Sequence, residues 1–77
     1  MKYELKPHLE DVLGKLRRKN PVAFQAVMNK IEEIVSSGDP DHYKPLRYDM
    51  RNIKSVHVVK SFVLLFSFDK RADFLSF

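Results

Sequence analysis

Hydrophobic positions in the first half of the chain repeat with the spacing of a helix. A first series comprises Leu9, Val12, Leu13 and Leu16. A second series at the same spacing comprises Phe24, Val27, Met28, Ile31, Ile34 and Val35. Between them stands Asn20, a residue that caps helices, followed by Pro21, which favours the first helical position. The pattern therefore predicts two amphipathic helices within residues 8–37, joined by a tight corner.

After Pro40 the hydrophobic pattern becomes that of strands. Residues 55–60 and 62–68 are rich in β-branched and aromatic side chains, which predicts a hairpin that turns at Lys60 and Ser61. Residues 72–77 begin another strand after a polar turn. At the beginning of the chain Tyr3 and Leu5 alternate with charged residues, which predicts one further short strand.

The order β-α-α-β-β-β predicts an α+β fold, in which a helical hairpin packs on one face of a twisted antiparallel sheet. Residues 1–77 form one domain in this interpretation. The run FVLLF at residues 62–66 is apolar without interruption, so we expect it to form a central strand that is covered on part of both faces. Residues 41–53 are polar and predict a loop, with a short strand near residues 45–47.

Composition narrows the chemistry. The 77 residues contain no cysteine, which excludes disulfides, thiolate metal sites and cysteine nucleophiles. The sequence shows no metal-ligand spacing, and we expect neither a metal nor a cofactor. No apolar run approaches the ~20 residues that span a bilayer, and the first residues lack the apolar core of a signal peptide. We therefore expect a cytoplasmic protein that does not associate with membranes.

The positive charge is concentrated in one segment. The formal net charge is +4, and residues 42–60 carry five basic side chains against a single acidic one. The basic and acidic residues elsewhere balance. A local positive field of this kind favours binding of polyanions such as nucleic acid. The alternative is a solvated loop whose lysines and arginines keep the protein soluble.

The segment HYKPLR at residues 42–47, the hairpin SVHVVKSFVLLFSFD at residues 55–69 and the element order resemble the RelE/ParE toxin superfamily. The subgroup that the sequence resembles most is the RelE and YoeB-like messenger-RNA interferases. Family members share a proline, a leucine and a basic residue, followed by spaced aliphatic residues that lead into the hairpin. The residues that follow this pattern are Pro45, Leu46, Arg47, Met50 and Ile53. The resemblance covers nearly the whole chain.

The resemblance implies a ribosome-dependent endoribonuclease that a cognate antitoxin neutralises. Its partners would be the antitoxin, the ribosome and messenger RNA. The family reaction is metal-independent attack of a ribose 2′-OH on the adjacent phosphate. That reaction needs a group that accepts the 2′ proton, a group that protonates the leaving oxygen, and cations near the phosphoryl oxygens.

Carried over by position, the resemblance implies Lys54 and His57 as catalytic residues. It implies RNA contacts by Lys44, Arg47, Arg51 and Lys60. Three positions depart from the family pattern. Lys44 stands where YoeB-like members have a carboxylate base, and His57 stands where those members have a phosphate-binding arginine. Val63 stands where many members have an arginine. The family's C-terminal tail, with its arginine and its histidine or tyrosine, has no counterpart before Phe77.

Each candidate residue also has a structural interpretation. His57 should lie on the strand face opposite Val56 and Val58, together with Val59, either as a catalytic group or as a half-exposed histidine without chemistry. Tyr43 and Tyr48 either stack on unpaired bases or cover the edge of a small core. His8 and His42 flank turns, so we expect them to be surface residues.

Two other functions fit the sequence. The first is a RelE-fold module that binds antitoxin or RNA without cleavage, because Val63 and the missing tail weaken the case for catalysis. The second is a ParE-like inhibitor of DNA gyrase. The last strand also stops at Phe77 in an apolar run. We expect either a partner to cover this exposed strand or the chain to be shorter than the proteins it resembles.

Overall fold

A computed structural model describes residues 2–38, 40–45, 53–59 and 62–77. In the order of the chain, the elements are β1 (Lys2–Glu4), α1 (Pro7–Lys19), α2 (Pro21–Ser36), a short 3-10 helix (Pro40–His42), β2 (Ile53–Val59), β3 (Phe62–Asp69) and β4 (Phe74–Ser76). This order confirms the predicted α+β class, with the two helices and the strands in the expected sequence.

The corner between the helices forms as the sequence predicts. Asn20 separates α1 from α2, and its side-chain oxygen accepts a hydrogen bond from the backbone N–H of Ala23 at 3.1 Å. The backbone N–H of Asn20 in turn donates to the carbonyl of Leu16 at 2.7 Å. Asn20 therefore closes the end of α1 and caps α2, and Pro21 begins the second helix without losing a needed N–H donor.

The four strands form one sheet in the order β1-β4-β3-β2. β2, β3 and β4 are antiparallel, as expected, whereas β1 pairs with β4 in parallel, with Tyr3 opposite Leu75. The prediction of a wholly antiparallel sheet is therefore corrected to a mixed sheet. The pattern within a strand records which face is apolar but not which neighbour the strand joins, so the position of β1 was not visible in the sequence.

The helices cover one face of the sheet. Core residues from both sides of this contact are Leu13, Val27, Ile31, Ile34, Leu64, Phe66, Leu75 and Phe77. β3 is central, but its two faces differ: Leu64 and Phe66 are 1% and 2% exposed, whereas Val63 and Leu65 are 41% and 44% exposed. The strand is central, as expected, but the cover of its second face is only partial because both helices pack on the same side.

β4 is not the exposed terminal strand that the sequence suggested. It lies between β1 and β3, and Phe77 is buried in the core. The backbone N–H of Phe77 donates to the carbonyl of Glu4 at 3.0 Å, and its carbonyl accepts from Lys6 at 2.9 Å. The apolar side chains at the end of the chain are therefore already packed.

The segment that precedes β2 is tied to the core. Pro40 is fully buried, and the ring of Tyr43 packs edge-on against Phe66 with 5.6 Å between ring centroids. Pro45 then forms an isolated bridge with Lys54. This bridge is the described part of the short strand expected near residues 45–47. Within the part of the chain that the structure describes, no helix combines the length and hydrophobicity needed to cross a bilayer.

Candidate functional site

The face of the sheet that the helices leave uncovered carries the candidate chemistry, and we call it the open face. Its residues on β2, β3 and β4 are Ile53, Ser55, His57, Val63, Leu65, Ser67, Asp69, Phe74 and Ser76. His57 is exposed and lies opposite Val63, and Ser55 lies opposite Leu65. Side chains alternate along a strand, so this pairing places His57 on the face opposite Val56, as the sequence predicts.

The alternation ends just after His57. The register of β2 against β3 shifts between His57 and Val59, so that Val59 pairs with Phe62. Val59 was expected on the face of His57 because simple alternation places it there. The bulge removes that relation, since the extra residue puts Val59 out of phase with the preceding part of the strand.

Lys44 reaches the open face through the segment beside β2. The backbone N–H of Ser55 donates to the carbonyl of Lys44 at 3.0 Å, next to the bridge between Pro45 and Lys54. This antiparallel register puts Lys44 opposite Ser55, and paired residues project from the same face. The structure therefore brings the exposed Lys44 to the face of His57, two strand positions away along β2.

Lys54 occupies a different position. It pairs with the buried Phe66 and is half-buried, and it lies three residues before His57 in a regular part of β2. An odd spacing places two side chains on opposite faces of a strand. The structure thus does not bring Lys54 and His57, the two residues predicted to be catalytic, to one face.

Three of the residues predicted to contact RNA lie outside the described residues, namely Arg47, Arg51 and Lys60. Tyr48, one of the two tyrosines considered for base stacking, also lies outside them. Tyr43 is described and covers the core: its ring contacts Phe66, and the ring of His42 lies 4.1 Å away between centroids. Burial raises the pKa of Tyr43, with the nearby Glu33 as the next cause. Of the two interpretations of Tyr43, the structure supports the packing one.

Charge is unevenly distributed across the open face. Lys44 and His57 lie at its β2 edge, whereas Lys2, Glu4 and Asp69 lie toward β1 and the β3–β4 turn, where the two carboxylates outnumber the single lysine of β1. Glu4 accepts a hydrogen bond from the hydroxyl of Ser76 at 3.0 Å, and Asp69 accepts backbone N–H groups of the turn. Both described carboxylates thus have structural partners. A polyanion would approach this face from the β2 edge.

The sequence-based predictions did not include a second basic cluster, which lies on α1. Lys15, Arg17, Arg18 and Lys19 lie at the exposed end of α1, and the sequence has no acidic residue between Asp11 and Glu32. The residues outside 42–60 have a net charge of zero. In that sum, acidic residues elsewhere in the chain cancel the basic residues of α1, so the cluster is not apparent from it. A sliding charge window would have found it. Cations at a helix C-terminus also stabilise the helix dipole, so the cluster has a structural role in any case.

The open face has groups that could act on RNA. An imidazole titrates near neutral pH and so can accept or donate a proton there, and a lysine stabilises negative charge. Among residues 2–38, 40–45, 53–59 and 62–77, no three histidine, aspartate or glutamate side chains group as metal ligands would. At the β2 edge of the open face, the described residues offer one proton-transfer group, His57, with one cation, Lys44, on the same face.

Comparison with known proteins gives two relatives. A protein of Methanocaldococcus jannaschii named "Putative toxin RelE4" is 40% identical over 67 residues, which are 87% of this chain and 69% of that protein. A Methanosarcina mazei protein, named only as uncharacterized, is 33% identical over 69 residues, covering 90% of this chain and 78% of its own length. No protein-family profile and no solved structure matches the chain.

Proposed function

This chain belongs to the RelE toxin superfamily, and we propose that it is the toxin of a toxin–antitoxin pair that cleaves messenger RNA on the ribosome. The observation that carries the proposal is the exposed His57 on the open face, with Lys44 two strand positions away on the same face. The name of the Methanocaldococcus relative supports the toxin role, and the basic segment at residues 42–60 supports a polyanionic substrate.

The proposed reaction uses His57 for proton transfer. The imidazole of His57 accepts the proton of a ribose 2′-OH, whose oxygen then bonds to the adjacent phosphorus. The bond from phosphorus to the 5′ oxygen breaks, and a solvent water molecule donates a proton to that oxygen as it leaves. The products are a 2′,3′-cyclic phosphate and a 5′-hydroxyl. Lys44 stabilises the charge that grows on the phosphoryl oxygens.

The remaining sequence candidates take supporting roles. Arg47, Arg51 and Lys60 are proposed to contact phosphates of the bound strand, which position RNA without reading its sequence. Lys54 has weaker support as a catalytic residue, because alternation directs it away from the face of His57. From the β2 edge its ammonium group would contribute to RNA binding.

One observation favours a second function. Val63 lies directly opposite His57, where many family members have an arginine. An apolar neighbour supplies no charge to the transition state. This pairing fits a RelE-fold module that binds antitoxin or RNA without cutting it.

Induced expression of the chain in bacteria tests the proposal. We expect arrested translation and new 5′ ends in messages at the ribosomal A site. His57→Gln should reduce cleavage by about 10²-fold or more, the usual contribution of a general acid or base. Lys54→Ala in the same assay should have a smaller effect.

His8→Gln is the matched control, because His8 is also exposed but lies on α1. We expect it to cleave like the parent chain. Intact messages in cells that contain the folded parent chain would contradict cleavage and favour the binding module. Equal cleavage by the His57 and His8 variants would remove His57 from the mechanism.

A further inference from the structure

The second half of α1 presents three cations that have no anionic partner. Lys15, Arg18 and Lys19 are exposed, and their spacing of three and four residues places them on one side of the helix. None of them forms an ion pair within the described part of the chain. Like charges at this spacing repel each other, and Lys15 lies before the last turn, where the helix dipole contributes little. The stability of the fold therefore does not account for this group of charges.

Gly14 stands beside these cations in the interior of α1. It is exposed, it is not among the described residues with a positive φ, and a Cβ atom added to it would meet nothing within 4 Å. Glycine is a poor helix former, so alanine would fit this position and favour the helix more. Neither backbone conformation nor packing requires the glycine. What it provides is a bare stretch of backbone that a partner can approach closely.

Arg18 lies against this bare backbone. Its Nε donates to the carbonyl of Gly14 at 3.4 Å, which leaves the N–H groups of both Nη atoms free of partners within the described residues. A guanidinium group fixed in this way can donate two hydrogen bonds to one phosphate. We call Gly14, Lys15, Arg18 and Lys19 the α1 basic face. It ends one turn before Gly14, where Asp11 introduces a negative charge.

The composition of the α1 basic face favours a phosphate backbone over other partners. Protein interfaces have an apolar core with aromatic anchors, and surfaces for unpaired strands stack bases on aromatic rings. This face offers neither, since its residues are one glycine, two lysines and one arginine. The exposed Val22 lies beyond the corner, on α2. Cations on a rigid helix instead suit the regularly placed phosphates of a nucleic-acid duplex.

We propose that the α1 basic face binds the sugar–phosphate backbone of an RNA duplex. Both helices cover the side of the sheet opposite the open face, so this surface and His57 lie on different sides of the sheet. The chain would thus hold a message strand at His57 and a structured RNA at α1 at the same time. The choice of RNA over DNA rests on the proposed function, in which the chain acts on the ribosome.

Binding of a short blunt-ended RNA duplex to the full chain tests this surface. Lys15→Gln combined with Arg18→Gln should reduce the slope of log affinity against log salt by about 1.8, because two phosphate contacts are lost at about 0.9 each. Lys2→Gln combined with Lys6→Gln is the matched control, since both lysines are exposed and lie outside the α1 basic face. The control has the same net charge as the first variant and should keep the slope of the parent chain. Fluorescence anisotropy at several salt concentrations measures both slopes.

A substitution at Gly14 separates binding from folding. Gly14→Gln adds no charge and should raise the melting temperature by about 2–5 °C, because glutamine favours a helix more than glycine does. The same variant should bind the duplex about tenfold more weakly, since its side chain keeps phosphates from the backbone at the cost of about one hydrogen bond to a charged group. Ser36→Gln is the matched control, because Ser36 is exposed at the other end of the helix pair, where α2 ends. It should bind like the parent chain.

Several results would overturn the proposal. Equal slopes for the two charge variants would show that the duplex responds to net charge alone, and parent-like binding by Gly14→Gln would remove the close approach at α1. Tighter binding of a DNA duplex of the same sequence would identify DNA as the partner. A larger loss of binding for hexaglutamate than for the duplex in the Lys15 and Arg18 variant would identify an acidic protein segment. The assay contains neither ribosome nor message, so its failure is distinguishable from a failure to cleave messenger RNA.

Discussion

The two faces of β3 differ sharply although their residues are alike. Leu64 and Phe66 face the helices and are almost completely buried, whereas Val63 and Leu65 alternate with them and are nearly half exposed. Residues 63–66 are all apolar, yet buried and half-exposed side chains alternate along them. The difference shows that an uninterrupted apolar strand is not evidence of cover on both sides, because two helices in a small domain can shield only one face.

The two faces therefore have different roles. On the covered face, apolar side chains supply the free energy of folding. On the open face, Val63 and Leu65 lie opposite His57 and Ser55. Apolar side chains that remain exposed in a soluble protein often mark an interaction site. Under the proposed function, folding and recognition use alternate residues of one strand.

Truncation of adjacent leucines gives the largest expected contrast. Leu64→Ala should lower the free energy of unfolding by about 2–5 kcal/mol, because it leaves a cavity in the core. Leu65→Ala removes the same atoms from a half-exposed site and should cost about 1 kcal/mol or less. Urea unfolding of both variants measures the difference.

Leu64→Val provides a milder variant if Leu64→Ala does not fold, with an expected loss of about 1 kcal/mol. A domain of this size has a total stability of about 4–12 kcal/mol, so the larger loss could leave much of the chain unfolded. Similar losses for truncation at Leu64 and Leu65 would show that the two faces are equally covered in solution.

Addition of a charge to the open face should have an intermediate effect. Val63→Arg places a guanidinium group opposite His57 and leaves the covered face unchanged. We expect tighter binding of single-stranded RNA and an increase of about 0.7 in the slope of log affinity against log salt, as for one added phosphate contact. Filter binding at several salt concentrations measures both quantities.

Val22→Arg is the control for this variant. Val22 is 81% exposed at the beginning of α2, away from the open face, and the variant has the same net charge. It should bind RNA like the parent chain. An equal gain from both variants would mean that RNA responds to overall charge and not to the open face.

The smallest expected effect is a pH dependence on the covered side. Burial raises the pKa of Tyr43 above its ordinary value of 10.0. The folded state therefore favours the protonated phenol, so this contribution to stability is complete below pH 10 and is lost as the pH rises through the folded-state pKa. Tyr43→Phe should lose less stability between pH 8 and pH 11 than the parent chain does.

Thermal unfolding at both pH values measures this difference. Tyr3→Phe is the control, because Tyr3 is 48% exposed. The control should follow the parent chain. An identical alkaline loss in the Tyr43 variant and the parent chain would mean that the phenol of Tyr43 is not desolvated in the folded protein.

The features that the sequence predicted well are local. The corner at Asn20 depends on a side chain and a backbone N–H three residues apart, and both helices follow from spacing within a few turns. The face of His57 was predictable because β2 alternates regularly up to that residue. In each case, the residues that determine the structure are neighbours in the chain.

The features that the sequence did not reveal depend on distant contacts. The parallel partner of β1 and the bare side of β3 are set by how elements far apart in the chain assemble. The spacing of three residues predicts that Lys54 and His57 lie on opposite faces of a strand. The family resemblance nevertheless implied that both belong to one site. Lys44 lies on the same face as His57 only because the segment that contains Lys44 and Pro45 pairs with β2 like a strand.

The pairing of β1 with β4 has a consequence for synthesis in the cell. The side chains of Glu4 and Ser76 are hydrogen-bonded across 72 positions of sequence. A contact of this span forms late, because closing a long loop costs entropy before any contact compensates for it. During translation the nascent chain therefore cannot complete its sheet until β4 has left the ribosome.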